Sequence, residues 1–336
     1  MSDYGVRFTD QEELYLEKRI RQVYSRAYRE LIHRLEEHKA KFAVKDAAKK
    51  AEIAGAKTAA EKRALQKEYR EWLNGQVFIG RQWEHKVDEV AKTMTAANKE
   101  AMNIIRDGQI RVFAENANYE AYLLEKGARA SFGFELYSEK AVTRLLAKSP
   151  TLLPKWKIDQ PKDYVWNYGK VKDIVTQGII QGEGIPEITK KLAVDICSRN
   201  ASKMRTFART SMTGAQNAGR IERMEEAQEM GIKTRKKWVA TLDSRTRDAH
   251  QDLDGQTAEV DEPFHSELGN IMYPGDPSAD PANVYNCRCT LESVVVGYEN
   301  HGQRRAYRET EDGKRESYTI DGDITYKEWK KLKGGD

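Results

Sequence analysis

The feature that most restricts how this chain can fold is a helical repeat of apolar residues near its amino terminus. Thr9 is followed three residues later by Glu12, which fits a capping box and predicts that a helix begins there. Apolar side chains then recur every three or four residues, as on one face of an α-helix: Leu16, Ile20, Val23, Tyr24, Ala27, Leu31 and Leu35. The sequence therefore predicts a long amphipathic helix at the start of a mainly helical chain.

The stretch that follows, KAKFAVKDAAKKAEIAGAKTAAEKRALQKEYREW, is rich in Ala, Lys and Glu. These residues favour helix, but too few of them are large and apolar to build a deep core. We predict an exposed helix or helical hairpin, which either docks on a partner or is a surface helix without one. Gly75 and Gly80 interrupt the next helix, and more helix is expected from Trp83 towards Ala147.

A proline-rich segment, KSPTLLPKWKIDQPKD, marks the clearest boundary in the chain. Proline is excluded from helix interiors, so we predict a linker at 150–162 between a helical amino-terminal region at 1–149 and a helical middle region at 163–232. Within the middle region, QGEGIPE separates two helices, and SRNAS offers N-caps for a third helix. Gly231 followed by Ile232 is typical of a Schellman stop at its end.

The long helix before Gly231 has two distinctive faces. A seam of mostly small residues would allow close packing against a neighbouring helix: Met204, Phe207, Ala208, Ser211, Ala215 and Ala218. Another face carries polar residues at the same spacing: Arg209, Thr213, Gln216, Asn217 and Arg220. That polar stripe is either a solvated face or the surface that holds the following domain.

From residue 233 the pattern changes to short strands and loops. KWVATLD, GQTAEVD and TLESVVVGY alternate or are rich in β-forming residues, and MYPGDPSADPANVYN reads as loop. We predict a small α+β module at 233–300 and a charged tail at 301–336, with a last helical turn at TYKEWKKLK. The fold class is therefore mainly α, with long N-terminal helices, a helical middle region and a small C-terminal α+β module.

Composition excludes several classes of protein. The 336 residues are one third charged, and their mean hydropathy is −0.79, which suits solvated helices. No apolar run is long enough to cross a bilayer and no signal peptide is apparent, so we expect no membrane partner and a cytoplasmic location unless an assembly carries the protein elsewhere. The net charge of +4 is too small to indicate a nucleic-acid binder, and the clusters TRKKW and HGQRRAYR read as solvated surface rather than phosphate sites.

The three cysteines are too few for a disulfide framework, but two of them form a Cys-x-Cys pair. Cys287 and Cys289 share a face if NCRC is extended, and thiolate and imidazole ligands suit zinc. His250 is the natural third ligand of a structural zinc site. Asp243 is the preferred fourth, ahead of His265, Asp254 and Asp276, and a water molecule is a further substitute.

Three other interpretations of these residues stay open. In the first, the cysteines are small buried apolar residues beside a hydrogen-bonded histidine. A Cys–His hydrolase would use a cysteine as nucleophile, His250 as base, and Asp243 or Asp254 to orient it. A metal-dependent nuclease would need clustered carboxylates, for which the candidates are Asp243, Asp252, Asp254, Asp261 and Glu262.

Five motifs follow one another over about residues 165–295: GIIQGEGIPEITKKL, ARTSMTGAQNAGR, KKWVATLDSRTRDAHQDLDGQ, PGDP and NCRCTL. In this order they resemble the Mu F-like family of phage head-morphogenesis or minor capsid proteins. The family's motif residues fall on Arg209, Asn217, Trp238, Asp243, Arg247, His250, Gly255, Asn286, Cys287 and Cys289. Ser211 departs from the pattern, since many relatives have Glu there.

The resemblance implies a structural protein of the virion, bound at the portal vertex inside the head, which acts in capsid assembly and in genome packaging or delivery. It implies no catalytic activity, and it adds weight to a shared structural site at Asp243, His250, Cys287 and Cys289. The expected partners are the portal protein, then a capsid or scaffold protein, then packaged DNA. The alternative is a DNA-binding protein that is ejected with the genome.

Overall fold

The computed structural model describes residues 3–78, 80–128, 134–154, 160–180, 185–297, 303–309 and 315–321. Helices dominate the first two thirds of these residues: α1 Tyr4–Ala54, α2 Ala59–Phe78, α3 Gly80–Ala128, α4 Glu139–Lys148, α5 Gln160–Ile180 and α6 Ile185–Glu229. Strands and two short helices follow: β1 Thr234–Val239, α7 Asp248–Leu253, β2 Thr257–Glu259, β3 Phe264–Ser266, β4 Gly269–Ile271, α8 Pro281–Val284, β5 Thr290–Val295, β6 Gln303–Glu309 and β7 Arg315–Asp321. The mainly α fold with a small strand-containing module is therefore confirmed.

The start of α1 differs from the capping-box prediction. The helix begins at Tyr4, where the carboxylate of Asp3 accepts a hydrogen bond of 2.9 Å from the Val6 backbone N–H. Thr9 lies inside the helix, where its hydroxyl donates to the Gly5 carbonyl over 2.9 Å. Thr58 does cap a helix, since its hydroxyl accepts from the Glu61 N–H at the start of α2. The prediction at Thr9 was wrong because the motif sits one turn inside a helix that Asp3 caps.

The Ala/Lys/Glu-rich stretch forms the predicted helical hairpin. Helices α1 and α2 pack against each other. The Tyr69 hydroxyl donates to the Asp46 carboxylate over 2.6 Å, and Lys49 lies over the Trp72 ring. Val44 is 71% exposed, and most described side chains of the hairpin tip are solvated. None of the described helices is both long and apolar enough to span a membrane.

Helix α6 runs without a break through SRNAS, where new N-caps had been predicted. Asn200 does not cap a helix, because its buried side chain donates to the Ile196 carbonyl over 2.9 Å and to Asn167 over 3.3 Å. Asn98 in turn donates to Asn200 over 3.1 Å. The Asn200 side chain, one of the groups that suggested a helix start, is therefore satisfied by α6 itself and by two neighbouring helices.

The end of α6 follows the predicted Schellman geometry. Gly231 has φ +87°, the Ile232 N–H donates to the Ala227 carbonyl, and the Gly231 N–H donates to the Gln228 carbonyl, both over 2.9 Å. Glycine is favoured there because it adopts positive φ at little cost. This stop fixes where the chain leaves the helix and enters β1.

The chain divides into two compact units. The module unit comprises the described residues within Met1–Arg19, Met102–Trp156 and Met204–Asp336, and the helical unit comprises those within Ile20–Ala101 and Lys157–Lys203. The division predicted from the sequence assigns the first 19 residues to a helical amino-terminal region at 1–149, separate from the helical middle region at 163–232. In the structure these residues group with the carboxy-terminal strands.

The module unit holds the sheets. Strand β1 lies in the centre of a three-stranded antiparallel sheet of order β2-β1-β5, with Trp238 opposite Leu291 and Lys237 opposite Thr257. Strands β3 and β4 form a hairpin. The predicted charged tail at 301–336 contains a second hairpin, β6–β7, which the sequence analysis did not predict, whereas TYKEWKKLK lies outside the described residues.

A buried ion cluster joins the first residues of the chain to α3, α6 and β5. The fully buried guanidinium of Arg220 donates to both carboxylate oxygens of Asp3, over 2.7 and 2.8 Å, and to the Leu291 carbonyl over 2.7 Å. Glu120 is fully buried 3.9 Å from Arg220, too far for a hydrogen bond between these groups. Burial raises the pKa of Glu120 to about 7, although Arg220 opposes the shift.

Glu120→Gln is expected to stabilise the protein at pH 8 and to leave its stability almost unchanged at pH 5. A carboxyl whose pKa is raised on folding favours the folded state while it is protonated, and it loses that contribution as the pH rises from about 4.5 to about 7. The gain at pH 8 should approach roughly 3 kcal/mol as an upper bound. Urea unfolding of both proteins at the two pH values measures it.

Glu229→Gln, at an exposed position near the end of α6, is the matched control and should produce no comparable difference between the two pH values. A loss of stability in Glu120→Gln at pH 8 would show that the attraction of Arg220 outweighs the burial of the carboxylate, contrary to this expectation.

Candidate metal centre

The centre is built where β1, α7 and the segment before β5 meet. Asp254 accepts a 2.7 Å hydrogen bond from the Ala240 N–H, which ties the end of α7 to the end of β1. His250 lies in the middle of α7, on its buried side. Cys287 and Cys289 lie just before β5, on either side of Arg288. Antiparallel pairing of β1 with β5 brings these two segments together.

His250, Cys287 and Cys289 form one buried group. The Nδ1 atom of His250 is 3.6 Å from the sulfur of Cys287 and 3.6 Å from that of Cys289. All three ligand atoms lie within 4.8 Å of one another, and the residues are only 2%, 2% and 3% exposed. Within the part of the chain that the structure describes, this is the one group of three or more His, Cys, Asp or Glu residues arranged to hold a metal ion.

Aromatic rings close the centre against solvent. The fully buried Trp238 meets His250 edge-on, with ring centroids 5.4 Å apart, and meets Phe264 in the same manner at 5.3 Å. The buried backbone of the centre is also held, since the Cys289 N–H donates to the Cys287 sulfur over 3.5 Å. The ligand atoms are therefore preorganised in a buried site.

The two thiols differ in acidity. The hydrogen bond with Cys289 holds the pKa of the Cys287 thiol below its usual value, helped by the charges of Arg247 and Arg288. Burial raises the pKa of Cys289 well above its usual value. Burial alone would lower the pKa of His250, but its hydrogen bond and charge interaction with Cys289 raise it overall. The group therefore supports one thiolate more readily than two unless a cation is present.

The structure places Asp243 beside this group rather than within it. Both of its oxygens accept hydrogen bonds from Arg288, one of them over 2.8 Å, and Arg245 lies 3.7 Å away. The other candidate fourth ligands also have separate roles. His265 is exposed and bonded to Asn270, while Asp276 accepts from the N–H groups of Met272 and Ser278.

The polar stripe of α6 lies along the free edge of β5. Thr213 donates to the Cys287 carbonyl over 2.8 Å, and Gln216 donates to the Thr290 hydroxyl over 2.7 Å. Asn217 accepts from the Leu291 N–H over 2.8 Å and donates to the Pro274 carbonyl over 3.1 Å and the Cys289 carbonyl over 3.3 Å. Backbone groups on a sheet edge need partners, and these side chains supply them. The Cys-x-Cys segment is therefore positioned by α6.

The remaining family-motif residues make separate contacts. Arg209 pairs with Glu17 of α1, and Arg247 donates to the Tyr285 carbonyl. Asn286 has φ 56°, and its N–H donates to the Thr210 hydroxyl over 3.1 Å. The contacts of Arg247 and Asn286 hold the loop that leads into the cysteines, and that of Asn286 fastens it to α6.

Two buried polar residues of the module were missed by the sequence analysis. Asn283 is fully buried, and its side-chain oxygen lies 2.8 Å from Nε2 of His250. Lys236, part of the TRKKW cluster that read as solvated, is fully buried and donates to the carbonyls of Val260 and Met272 over 3.0 and 2.9 Å. Burial lowers the pKa of Lys236 to about 8. Side chains alternate along a strand, so Lys236 lies on the same buried face of β1 as Trp238. This alternation could have predicted that Lys236 is buried.

The arrangement has the order of a Cys–His–Asn triad, with the imidazole between a thiol and an amide oxygen. A nucleophile must reach its substrate, however, and both sulfurs and the imidazole are buried behind Trp238. The carboxylates proposed for a nuclease are not gathered there either, since Asp252, Asp261 and Glu262 are exposed and Asp243 is engaged by Arg288. The geometry suits metal ligation or a hydrogen-bonded cluster better than catalysis.

Comparison with known proteins shows which family this part of the chain resembles. Residues 169–292 match the family described as Phage Mu protein F like protein, which is the family that the motifs resemble. No solved structure matches the chain.

Three relatives illustrate how far the similarity extends. Minor head protein GP7 of Bacillus phage SPP1 is 28% identical over 250 residues, which is 74% of this chain and 78% of that protein. An NAD(+)–arginine ADP-ribosyltransferase of Enterococcus faecalis is 37% identical over 131 residues, which is 38% of this chain but only 26% of that protein. The uncharacterized protein YqbB of Bacillus subtilis is 33% identical over 129 residues, or 37% of this chain and 41% of that one.

Proposed function

We propose that this chain is a minor head protein of a tailed phage and acts in head morphogenesis. The similarity to the minor head protein GP7 carries the proposal, because it covers about three quarters of both proteins. That alignment of 250 residues is longer than the Mu F-like segment at 169–292, so it also includes residues outside that segment. The partner class is other proteins of the phage head.

Within the head, we propose the portal protein as the principal partner, at the inner side of the portal vertex, with a role in capsid assembly and in genome packaging or delivery. A capsid or scaffold protein and the packaged DNA come next. The α1–α2 hairpin supports a docking role, because its tip is solvated, carries charges of both signs and has no described core of its own. The protein would be made in the host cytoplasm and reside in the virion.

Removing the hairpin tip is expected to abolish incorporation into heads. The structure guides the choice of deletion: Asp3 binds the buried Arg220, so the first residues must be retained for the module unit to fold. Residues 47–68 can be replaced by a short Gly/Ser loop, because Asp46 and Tyr69, on either side of the deletion, are hydrogen-bonded to each other. The first residues of the chain and the rest of the protein are then retained. Western blotting of purified heads and co-purification with portal measure the effect.

Substitution of Lys62 and Arg63 by Gln tests the charges of the tip separately from its length, because it removes two exposed charges and leaves both helices in place. Full incorporation of the shortened protein would contradict docking through the hairpin. Capture of portal that persists at high salt supports the portal as partner, whereas DNA binding that falls steeply with salt would favour a genome-ejected DNA-binding protein.

We also propose that the protein has no enzymatic turnover of its own. The ADP-ribosyltransferase relative is matched over about a quarter of its length, so its activity is a property of that protein. Purified protein should show no nuclease, peptidase or ADP-ribosyl transfer above a His250→Ala control. Reproducible activity of the wild type that disappears in His250→Ala would overturn this proposal.

We propose that His250, Cys287 and Cys289 hold a structural zinc ion. A tetrahedral zinc with Zn–S of about 2.3 Å and Zn–N of about 2.0 Å places sulfur and nitrogen roughly 3.5 Å apart. The two observed sulfur–Nδ1 distances, both 3.6 Å, fit this value, and the donors are soft and buried. Zinc there would close the module. Because Arg288 engages Asp243, a water molecule is a better fourth ligand than the Asp243 carboxylate first expected.

A further inference from the structure

The buried side chain of Asn283 is oriented by groups with a fixed hydrogen-bonding role. Its Nδ2 atom lies 3.4 Å from the Gly269 carbonyl, which can only accept, and 3.1 Å from the Ser266 hydroxyl. Ser266 uses its own proton on the Gly269 carbonyl, over 3.0 Å, and accepts from the Leu268 N–H. The amide nitrogen of Asn283 must therefore face the β3–β4 hairpin, and its oxygen must face His250.

This orientation fixes the tautomer of His250. The Asn283 oxygen, 2.8 Å from Nε2, can only accept, so Nε2 carries the proton. In a neutral imidazole the Nδ1 atom is then left with its lone pair, and that atom faces both sulfurs at 3.6 Å. Metal-bound histidines commonly donate their second N–H to such an outer acceptor, which sets the ring orientation.

We infer that Asn283 is a positioning residue that holds His250 in the Nε2–H tautomer and presents Nδ1 to a soft divalent metal between Cys287 and Cys289. The metal part of this inference rests on the zinc site proposed above, and the tautomer part does not. Asn283 also links the centre to the β3–β4 hairpin through Ser266 and Gly269. The β3–β4 hairpin thus orients the Asn283 side chain, and the Asn283 oxygen in turn orients the ring of His250.

Two substitutions of Asn283 distinguish the effect of its hydrogen-bond acceptor from the effect of its side-chain size. Asn283→Leu keeps the approximate size and removes the acceptor, so zinc affinity should fall about 10- to 100-fold. Asn283→Asp keeps an oxygen facing Nε2, so affinity should stay within a fewfold of the wild type or rise. Affinity is measured by competition between the full-length protein and a chelator for Zn²⁺, after circular dichroism has shown that each variant is folded.

The chain offers a matched control in its second histidine–asparagine pair. His265 and Asn270 lie 2.7 Å apart on the same hairpin, but both are exposed and outside the ligand group. Asn270→Leu should leave zinc affinity unchanged. A fall in affinity as large as that in Asn283→Leu would show that the hairpin, rather than the acceptor at Nε2, controls the site, and would overturn the inference.

The tautomer is read directly by NMR of metal-free protein labelled with ¹⁵N-histidine, with His250→Gln to assign the signal. The wild type and Asn283→Asp should show His250 protonated at Nε2, and Asn283→Leu should lose that preference. Protonation at Nδ1 in the wild type would overturn the inference, as would an unchanged tautomer in Asn283→Leu. If the wild type binds no Zn²⁺, the zinc proposal fails and the metal part of the inference fails with it, while the tautomer still decides the role of Asn283.

Discussion

Replacing Gly275 by alanine is expected to destabilise and loosen the module unit. Gly275 has φ +84°, where an L-residue costs about 1–2 kcal/mol. A Cβ there would also lie 2.6 Å from the Gly214 nitrogen and 2.7 Å from its Cα, both backbone atoms of α6 that cannot rotate away. Forcing the loop off the helix should cost roughly 1–3 kcal/mol more.

The consequence follows from what the same loop carries. Its neighbour Pro274 accepts a hydrogen bond from Asn217, the residue that also holds the Cys289 carbonyl and the Leu291 N–H. Displacing the loop should therefore loosen the Cys-x-Cys segment. In a Cys197→Ser background, the labelling rate of Cys287 and Cys289 by a thiol reagent should rise by at least tenfold.

Gly231→Ala is the control, because Gly231 has a similar φ of +87° but no atom within 4 Å of an added Cβ. It should show the cost of the backbone conformation without the clash, and little change in thiol labelling. Equal effects of the two substitutions would show that the close approach of Gly275 to α6 contributes nothing, and the expectation would be wrong.

Local patterns in the sequence predicted which residues are helical better than where the helices start. The motif Thr-x-x-Glu occurs at Thr9 and at Thr58, and only the second caps a helix. The side chains are the same in both motifs, and the difference is that Asp3 starts the first helix earlier. In a different way, SRNAS offers good caps, but the Asn200 side chain bonds back to the Ile196 carbonyl of its own helix and to Asn167 of α5, which the local sequence does not contain. An earlier local cap decided the first case, and partners on other helices decided the second.

The candidate site was predictable where periodicity applies. Spacing of two residues predicts that Cys287 and Cys289 share a side of the chain, and both sulfurs do lie beside His250, which follows β1 on a short helix as expected. The choice of Asp243 could not be made in this way, since its pairing with Arg288 depends on how two distant segments meet. Asn283 gave no signal, because a single asparagine in a Pro/Gly-rich loop usually reads as a turn residue.

Loss of the ligand group is expected to have the other large effect. Purified protein should contain one zinc per chain, and Cys287→Ser and His250→Ala should each lose it. Both variants should also lower the melting temperature of the module, because the ion joins α7 to the segment before β5 across a long loop, and the stabilisation by structural zinc is on the order of several kcal/mol. Metal content by mass spectrometry and thermal melts of the three proteins measure these effects.

Cys197→Ser is the matched control for the loss of a buried thiol. Cys197 lies in the helical unit, 3.7 Å from the sulfur of Met94, so its substitution should leave the zinc content at one per chain. If no protein contains metal but Cys287→Ser and His250→Ala still melt much earlier, the three side chains act as a hydrogen-bonded cluster that closes the module without an ion. If zinc is absent and both variants melt with the wild type, the group does not hold the module together, and the buried imidazole and thiols must be retained for a function other than stability.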